Sequence, residues 1–379
     1  SLYTRDENTP ASNPMPPVED WVIFTDDSAP PGVFGCDQIS IRNGRDLSEG
    51  LVTGEYTQSP YQIGAALDGR FIMALDQGHS GRARILVGSP VDRDQWQSHF
   101  FHGGFTWGSD IEVTFDGRYA VFGLDGGLAK IAVDSLTAFS RLDHREVIPV
   151  RSISKPSRKL AKPVHPLPSL DGFLPNVSPA NIVLAPDGEH AYVAAVDAKI
   201  YNVDIDTMTT VGVPIPYAPP NTAPRGRYYM TFSTLSPSGR FLVVSSSLVG
   251  EVNIVDLQES TSRLVKVPGS GLLSGVRFNY RNGDDAILAV HRGTSVALLR
   301  FQEDAGKVLQ LLSTVSVPAK TRELCLDCDR SWPYPSLAWS GSGDAIIAAV
   351  GPVAYDWAKI PVSFDSEPSL GRPSFFKSC

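Results

Sequence analysis

The chain has 379 residues, which is long enough for two ordinary domains or for one large all-β domain. Hydrophobic residues make up 42% and charged residues 20% of the sequence, which excludes a largely disordered chain and indicates a soluble globular protein. A formal net charge of −8 argues against a nucleic acid as the main partner, because neutralising phosphates needs a basic surface. The sequence has no apolar run of about 18 residues, so no membrane span is predicted.

The N-terminal stretch SLYTRDENTPASNPMPP is polar and rich in proline. We interpret residues 1–17 as a flexible leader rather than a signal peptide, such as the start of a mature chain after cleavage. Residues 18–379 are expected to form one domain. Its first unit takes strands from WVIFTDD and CDQISIRNGRD but lacks a first strand, and the tail after Trp357 is a candidate to supply one when a ring closes.

A unit of predicted strands then recurs along the chain. Each copy has an alternating apolar strand, a tight turn with glycine, a very apolar strand, a short break and another alternating strand. Glycine accepts the positive φ that such hairpin turns need. The residues that precede these glycines are Asp68, Asp116, Asp187, Ser238, Asn282 and Ser342. A period of ~40–50 residues with several strands per unit is typical of a β-propeller blade, and helical periodicity is nearly absent.

Two of the copies carry a resemblance to a known group. APDGEHAYVAAVDAKIYNVDIDT and FLVVSSSLVGEVNIVDL resemble blades of the YVTN/lactonase-like β-propeller superfamily, and the Trp-Asp ending of WD repeats is absent. The resemblance covers roughly residues 60–357. It implies an all-β propeller of about seven four-stranded blades, with six or eight as alternatives. The superfamily includes lactonases, cofactor-bearing dehydrogenase subunits and binding scaffolds, and no catalytic motif of any one family is present to transfer.

The blade pattern predicts where a ligand site would lie. The starts of the first strands and the breaks between second and third strands should share one face, where loops converge on the mouth of the central channel. Candidates at the breaks are Asp76, His79, Asp125, Asp197, Ser246, Ser247, His291 and Arg292. Candidates at the strand starts are Gln62, Asp110, Asn181 and Arg277, and His99 and His102 lie in the connection SHFFHGG.

This face therefore collects groups suited to acid–base chemistry. We expect His79, His102 or His291 to act as the acid–base group and Asp76, Asp110 or Asp125 to orient it. Arg277 or Arg292 would hold an anion, and Asn181 and Asp197 would contact the ligand. For Asp76, Asp125 and Asp197 the alternative is a structural role, in which the carboxylate caps its own turn.

A basic, Pro-rich insertion at about 145–178 interrupts the regular spacing. It is interpreted either as a solvated loop or as a lid or docking arm that brings positive charge to an anionic substrate or acidic partner. A second Pro-rich loop carries Arg225 and Arg227. These arginines would line the channel mouth if both loops lie on the face where the ligand site is predicted.

The four cysteines leave several pairings open. Cys325 and Cys328 form a C-L-D-C pair, interpreted as a local disulfide or two unreactive thiols, because no second pair completes a zinc site. Cys36 and Cys379 could form a disulfide where the ring closes. No motif indicates a cofactor, and a divalent metal stays open. Cysteine number and proline content favour a periplasmic or secreted protein, with a cytoplasmic one as the alternative.

Three functions follow as hypotheses. The first is a cofactor-independent hydrolase of the lactonase kind, a lyase or an isomerase that acts on a small polar or anionic molecule at the channel mouth. The second is a non-catalytic scaffold that binds a protein or peptide partner. The third is a subunit of a redox assembly, with metal or quinone supplied by another chain.

Overall fold

The structure, a computed structural model, describes residues 2–3, 21–26, 38–43, 60–65, 72–77, 83–88, 97–100, 110–124, 126–137, 169–218, 231–246, 250–269, 273, 275–280, 286–292, 294–303, 308–317, 337–340, 342–350 and 356–377. Within these ranges the strands form seven antiparallel sheets, numbered here in chain order, and α1 (Val133–Thr137) is a single short helix. In this part of the chain no helix is long and apolar enough to cross a membrane.

The first three sheets contain strands β1 to β11. Sheet 1 consists of β1 (Leu2–Tyr3), β2 (Trp21–Asp26) and β3 (Gln38–Asn43). Sheet 2 consists of β4 (Pro60–Ala65), β5 (Ile72–Gln77), β6 (Ala83–Gly88) and β7 (Gln97–Phe100). Sheet 3 consists of β8 (Ile111–Val113), β9 (Tyr119–Leu124), β10 (Gly127–Ala132) and β11 (Gly172–Pro175). The end of the predicted insertion thus supplies the outer strand of sheet 3.

The other four sheets contain β12 to β29. Sheet 4 consists of β12 (Pro179–Leu184), β13 (His190–Ala195), β14 (Lys199–Asp204), β15 (Thr209–Thr210) and β16 (Ile215–Pro216). Sheet 5 consists of β17 (Thr231–Leu235), β18 (Phe241–Ser246), β19 (Glu251–Asp256) and β20 (Thr261–Lys266). Sheet 6 consists of β21 (Gly275–Asn279), β22 (Ile287–Arg292), β23 (Ser295–Gln302) and β24 (Val308–Ser316). Sheet 7 consists of β25 (Leu337–Trp339), β26 (Ala345–Val350), β27 (Asp356–Ser363), β28 (Ser369–Leu370) and β29 (Ser374–Lys377).

The first strands of the sheets form a closed cycle. β4 contacts β8, β8 contacts β12, β12 contacts β17, β17 contacts β21 and β21 contacts β25. β1 closes the cycle because it contacts both β25 and β4. Sheets that radiate from a cycle of inner strands define a β-propeller, so the predicted fold is confirmed. The sheets in the described part agree in number with the seven expected blades.

The closing strand differs from the one expected. The described tail strand β29 pairs with β27 within its own sheet, and β1, the strand that pairs with β2, comes from residues 2–3. The suggestion that the tail completes the first unit is therefore wrong for the described residues. The remainder of the leader, residues 4–17, lies outside the described residues, and its separation from the propeller stays a prediction.

The recurring turn explains why the sequence repeats. At the end of three first strands a hydroxyl accepts a hydrogen bond from a backbone N–H five residues later: Thr114 from Tyr119 at 3.0 Å, Ser236 from Phe241 at 3.1 Å and Ser340 from Ala345 at 3.0 Å. The glycine in each of these turns has a positive φ, between 66° and 73°. These three hairpins therefore combine a small hydroxyl and a glycine at fixed positions, and the sequence pattern predicted the glycine.

The hydrophobic core lies between neighbouring sheets. Because side chains alternate along a strand, Leu288 and Val290 of β22 pack with the core of sheet 5, while Ile287 and Ala289 pack with Trp339 of sheet 7. The alternation therefore lets sheet 6 bury both of its faces.

Candidate functional site

A chain of hydrogen bonds links the inner strands of four consecutive sheets. Asp110 precedes β8, and its Oδ2 accepts bonds from Asn181 Nδ2 at 2.6 Å and from Ile182 N at 3.0 Å. Asn181 Oδ1 in turn accepts a bond from Ser233 N at 2.9 Å and one from the Ser233 hydroxyl. The chain continues because Arg277 Nη1 donates to Ser233 O at 2.6 Å. Polar side chains of sheets 3, 4, 5 and 6 are thus joined at the channel.

Burial changes the acidity of Asp110. It is 5% exposed, and burial raises its pKa from 3.8 to about 6, although hydrogen bonds from Ile182 N and Ile111 N and the charge of Arg277 act in the opposite direction. Its oxygens accept at least three hydrogen bonds, including one from Ile111 N at 3.0 Å. Asp110 is therefore a firmly positioned carboxylate that titrates close to neutral pH.

Glu112 is the functional candidate that the sequence reasoning missed. It lies two residues after Asp110 on β8, so both side chains leave the same side of the strand. Burial raises the pKa of Glu112 well above 4.5, the negative charge of Asp110 raises it further, and Arg277 opposes both. Among the described residues no hydrogen bond holds its carboxyl group. The period of two along β8, counted from Asp110, is the signal that could have found it.

Arg277 reaches the two carboxylates from the opposite side of the ring. It is half-buried on β21, three inner strands away from β8, and its positive charge acts on both Asp110 and Glu112. Its backbone carbonyl accepts a hydrogen bond from Trp339 Nε1 at 3.0 Å, which ties it to sheet 7. Two carboxyl groups and one guanidinium therefore form the charged cluster of the channel, called the channel cluster below.

His291 and Arg292 do not act as a pair. Both are buried at the end of β22, but successive side chains of a strand point to opposite faces. Arg292 follows Leu288 and Val290 toward sheet 5, and His291 follows Ala289 toward sheet 7. Burial lowers the pKa of His291 to about 4, so it is neutral at physiological pH. The two side chains therefore lie on opposite faces of sheet 6.

Three other candidates lie outside the channel-lining strands. Asp197 is an exposed turn residue that accepts bonds from Lys199 Nζ at 2.9 Å and Tyr201 OH at 2.7 Å of its own hairpin. Asp76 lies within β5, where its backbone pairs with Arg84. His99 lies on the outer strand β7, away from the inner strands, and burial lowers its pKa to about 4 against the effect of a hydrogen bond to Leu136 O.

Several predicted residues cannot be placed. His79, His102, Asp125, Arg225, Arg227, Cys36, Cys325, Cys328 and Cys379 lie outside the described residues, as do positions 145–168 of the basic insertion. Within the described part, no group of three or more His, Cys, Asp or Glu side chains is arranged to hold a metal ion.

The cycle of inner strands and the polar cluster inside it define the chain as a β-propeller with a charged channel. Two solved structures are similar to it. One is a protein from Lactobacillus plantarum, with a TM-score of 0.61 and 10% identity over 94% of this chain and 96% of that chain. The other is the β-propeller domain of Cps50 (Swd1) from Myceliophteria thermophila, with a TM-score of 0.51 and 13% identity over 83% of this chain and 86% of that chain.

These similarities concern the fold alone, because identities are low. They agree with the β-propeller fold that the sequence resemblance predicted. No protein-family model matches the chain, and no curated protein matches it.

Proposed function

We propose that the propeller binds a small polar or anionic molecule in its channel and acts on it by acid–base catalysis. The observation that carries this proposal is the channel cluster: two carboxyl groups with raised pKa values within the electrostatic reach of Arg277. Pairs of titratable groups with perturbed pKa values, set in a concave site, are typical of catalytic centres. Reactions that need one proton donor and one acceptor suit this pair, such as lactone hydrolysis, elimination or isomerisation.

The environment assigns different roles to the two carboxyl groups. Glu112, whose pKa is raised well above 4.5 by burial and by the charge of Asp110, is the group proposed to hold the proton and serve as the acid. Asp110 is ionised above about pH 6 and serves as the base, positioned by Asn181 and Ile182. In lactone hydrolysis Asp110 would take a proton from the attacking water, the ring C–O bond would break, and Glu112 would protonate the leaving oxygen.

Arg277 completes the site as an anion-binding group. The only hydrogen bond of its guanidinium among the described residues goes to Ser233 O, so further N–H donors remain for a ligand. A guanidinium in this position would bind a carboxylate of the substrate or stabilise the oxyanion that forms in the transition state. Trp339 and Ser233 would act as positioning residues for Arg277 through the bonds at its carbonyl and guanidinium groups.

The test is a turnover assay with a panel of lactones and hydroxy acids, followed by proton release or uptake. We expect Glu112→Gln to reduce kcat by about 10²–10⁴-fold, the usual contribution of general acid–base catalysis. Arg277→Lys should raise KM for anionic members of the panel more than for neutral ones. Glu251→Gln on β19, outside the channel cluster, is the matched control and should leave kcat and KM unchanged.

Two outcomes would overturn the proposal. One is turnover in Glu112→Gln at the rate of the unaltered protein. The other is a panel in which no compound is turned over and none binds with an affinity that depends on Arg277.

A second candidate function, binding of a protein partner, is supported by apolar side chains on the outer strands. Leu264 of β20 and Val308 and Leu311 of β24 are 39%, 43% and 44% exposed on neighbouring sheets. Exposed aliphatic groups on adjacent elements favour docking of another chain. Leu264→Asp combined with Leu311→Asp would weaken such binding and leave channel chemistry intact, whereas Glu112→Gln would do the reverse.

A further inference from the structure

Arg292 is a buried cation that has no anionic partner in the part of the chain that the structure describes. It ends β22 and is only 2% exposed. Its Nη2 donates a hydrogen bond to Val267 O at 2.7 Å, while Nε and Nη1 are buried and have no hydrogen-bond partner among the described residues. Burial lowers the pKa of Arg292, and no carboxylate acts to raise it. A buried guanidinium in this state is strongly unfavourable unless something else completes its hydrogen bonds.

The backbone beside Arg292 is shaped around the guanidinium. Gly269 has a φ of +106°, and a Cβ placed on it would lie 3.2 Å from Arg292 Nη1. Glycine therefore permits both the backbone conformation and the close approach. Of the five N–H donors of an arginine, one is used by Val267 O, so four remain in the flat, forked arrangement that matches the two oxygens of a carboxylate or phosphate.

The described side chains that share this face offer no negative charge. Arg292 lies at the end of the core between sheets 5 and 6, beyond Val290 of its own strand and beside Val267 of sheet 5. The other members of that core are aliphatic and phenylalanine side chains. An oxyanion would therefore gain its main interaction from Arg292 itself, in surroundings where a charge-assisted hydrogen bond is strong.

We propose that Arg292 anchors an oxyanion site between sheets 5 and 6, which takes the carboxylate or phosphate group of a small ligand. The site is separate from the channel cluster, because Arg292 belongs to the second strand of sheet 6 and faces sheet 5. It therefore does not depend on the proposed acid–base function.

Thermal unfolding of the full chain tests this site. The protein is unfolded in a buffer without oxyanions, to which sodium phosphate, sodium acetate or sodium chloride is added at equal ionic strength. A ligand that binds only the folded state at 100 times its Kd lowers the unfolding equilibrium constant about 100-fold. We expect phosphate, acetate or both to raise Tm in a saturable way, and chloride to have no such effect. The salt that acts identifies the preferred group.

The variants tie the response to Arg292. Arg292→Met replaces the charge with an apolar chain of similar length and should abolish the response, with a Tm in chloride equal to or above that of the unaltered protein. Arg292→Lys keeps the positive charge but loses the forked N–H donors of the guanidinium, and should weaken binding of the oxyanion at least tenfold. The matched control is Arg240→Met, which removes an arginine already paired with Asp256 Oδ2 at 2.9 Å. It should lower Tm and keep the response.

The site is refuted if chloride raises Tm as much as phosphate and acetate do, or if no salt does. It is also refuted if Arg292→Met and Arg292→Lys respond like the unaltered protein. In either case Arg292 would be a structural residue whose charge the fold tolerates.

Discussion

The pH dependence of stability gives a direct test of the channel carboxylates. Asp110 ionises near 3.8 in the unfolded chain, whereas burial raises its pKa to about 6 in the folded protein. The folded protein therefore holds this proton at pH values where the unfolded chain has released it. The contribution of Asp110 to stability is fully present below about pH 4 and is lost as the pH rises through about 6. The two pKa values correspond to a loss of roughly 3 kcal/mol in the free energy of unfolding.

Urea unfolding of the unaltered protein and of Asp110→Asn, between pH 4 and pH 8, measures this loss. Asparagine does not titrate, and the hydrogen bonds it changes shift the free energy by an amount independent of pH. Titrating groups away from the channel cluster are common to both proteins, so their contributions cancel. Glu112 is the exception, because the charge of Asp110 raises its pKa, so the same pair is also compared with Glu112→Gln present in both proteins. The stability of Asp110→Asn relative to the unaltered protein should therefore rise by roughly 2.5 kcal/mol from pH 4 to pH 8, slightly less than the full loss because pH 4 lies just above the unfolded pKa of 3.8.

Asp187→Asn provides the control of opposite sign. Burial would raise the pKa of Asp187, but hydrogen bonds from Glu189 N and from His190 outweigh it and lower the pKa. This variant should lose stability relative to the unaltered protein as the pH rises from the acid side. A flat difference for Asp110→Asn, or one that falls with pH, would mean that Asp110 ionises at no cost. The acid–base proposal would then lose its physical basis.

Three further predictions concern other positions. Burial lowers the pKa of His99 to about 4, so its contribution to stability is present above pH 6.5 and is lost as the pH falls toward 4. Between pH 6.5 and pH 4 the Tm of the unaltered protein should therefore fall more than the Tm of His99→Gln. Gly275→Val should lower the free energy of urea unfolding by about 1–3 kcal/mol, because a Cβ there would lie 2.8 Å from Leu337 Cβ of the next inner strand. Trp339→Phe removes the bond to Arg277 O and should cost about 1 kcal/mol in stability and reduce turnover in the lactone assay.

The fold was predictable because local chemistry repeats with each blade. The turns after Thr114, Ser236 and Ser340 need a glycine with positive φ, and such glycines are visible in the sequence at regular intervals. Ring closure was not predictable in the same way. Whether β29 or β1 becomes an inner strand depends on contacts between distant parts of the chain, and a short strand such as Leu2–Tyr3 carries too few residues for a period.

The candidate site was predictable only in part. Asp110, Asn181 and Arg277 stand near the starts of first strands, so the blade pattern alone placed them toward the channel, where their hydrogen bonds now connect them. The sequence prediction did not include Glu112 because it considered only the starts of the strands. The alternation of side chains along β8 nevertheless assigns Glu112 to the same side as Asp110. His291 and Arg292 were grouped because they are neighbours in sequence, yet the same alternation separates them.

Arg277 and Arg292, on the first and second strands of sheet 6, differ in how their charges are compensated. Arg277 is half-buried and lies within the field of two acidic groups of the chain itself, so its charge is compensated in the folded protein. Arg292 is almost fully buried and has no such compensation among the described residues. A buried charge that no group of the chain compensates lowers the stability of the fold unless a counter-ion binds from outside. A cluster whose charges compensate each other can exchange protons without such a counter-ion. The proposed acid–base chemistry in the channel therefore needs no external ion, whereas the proposed oxyanion site between sheets 5 and 6 depends on one.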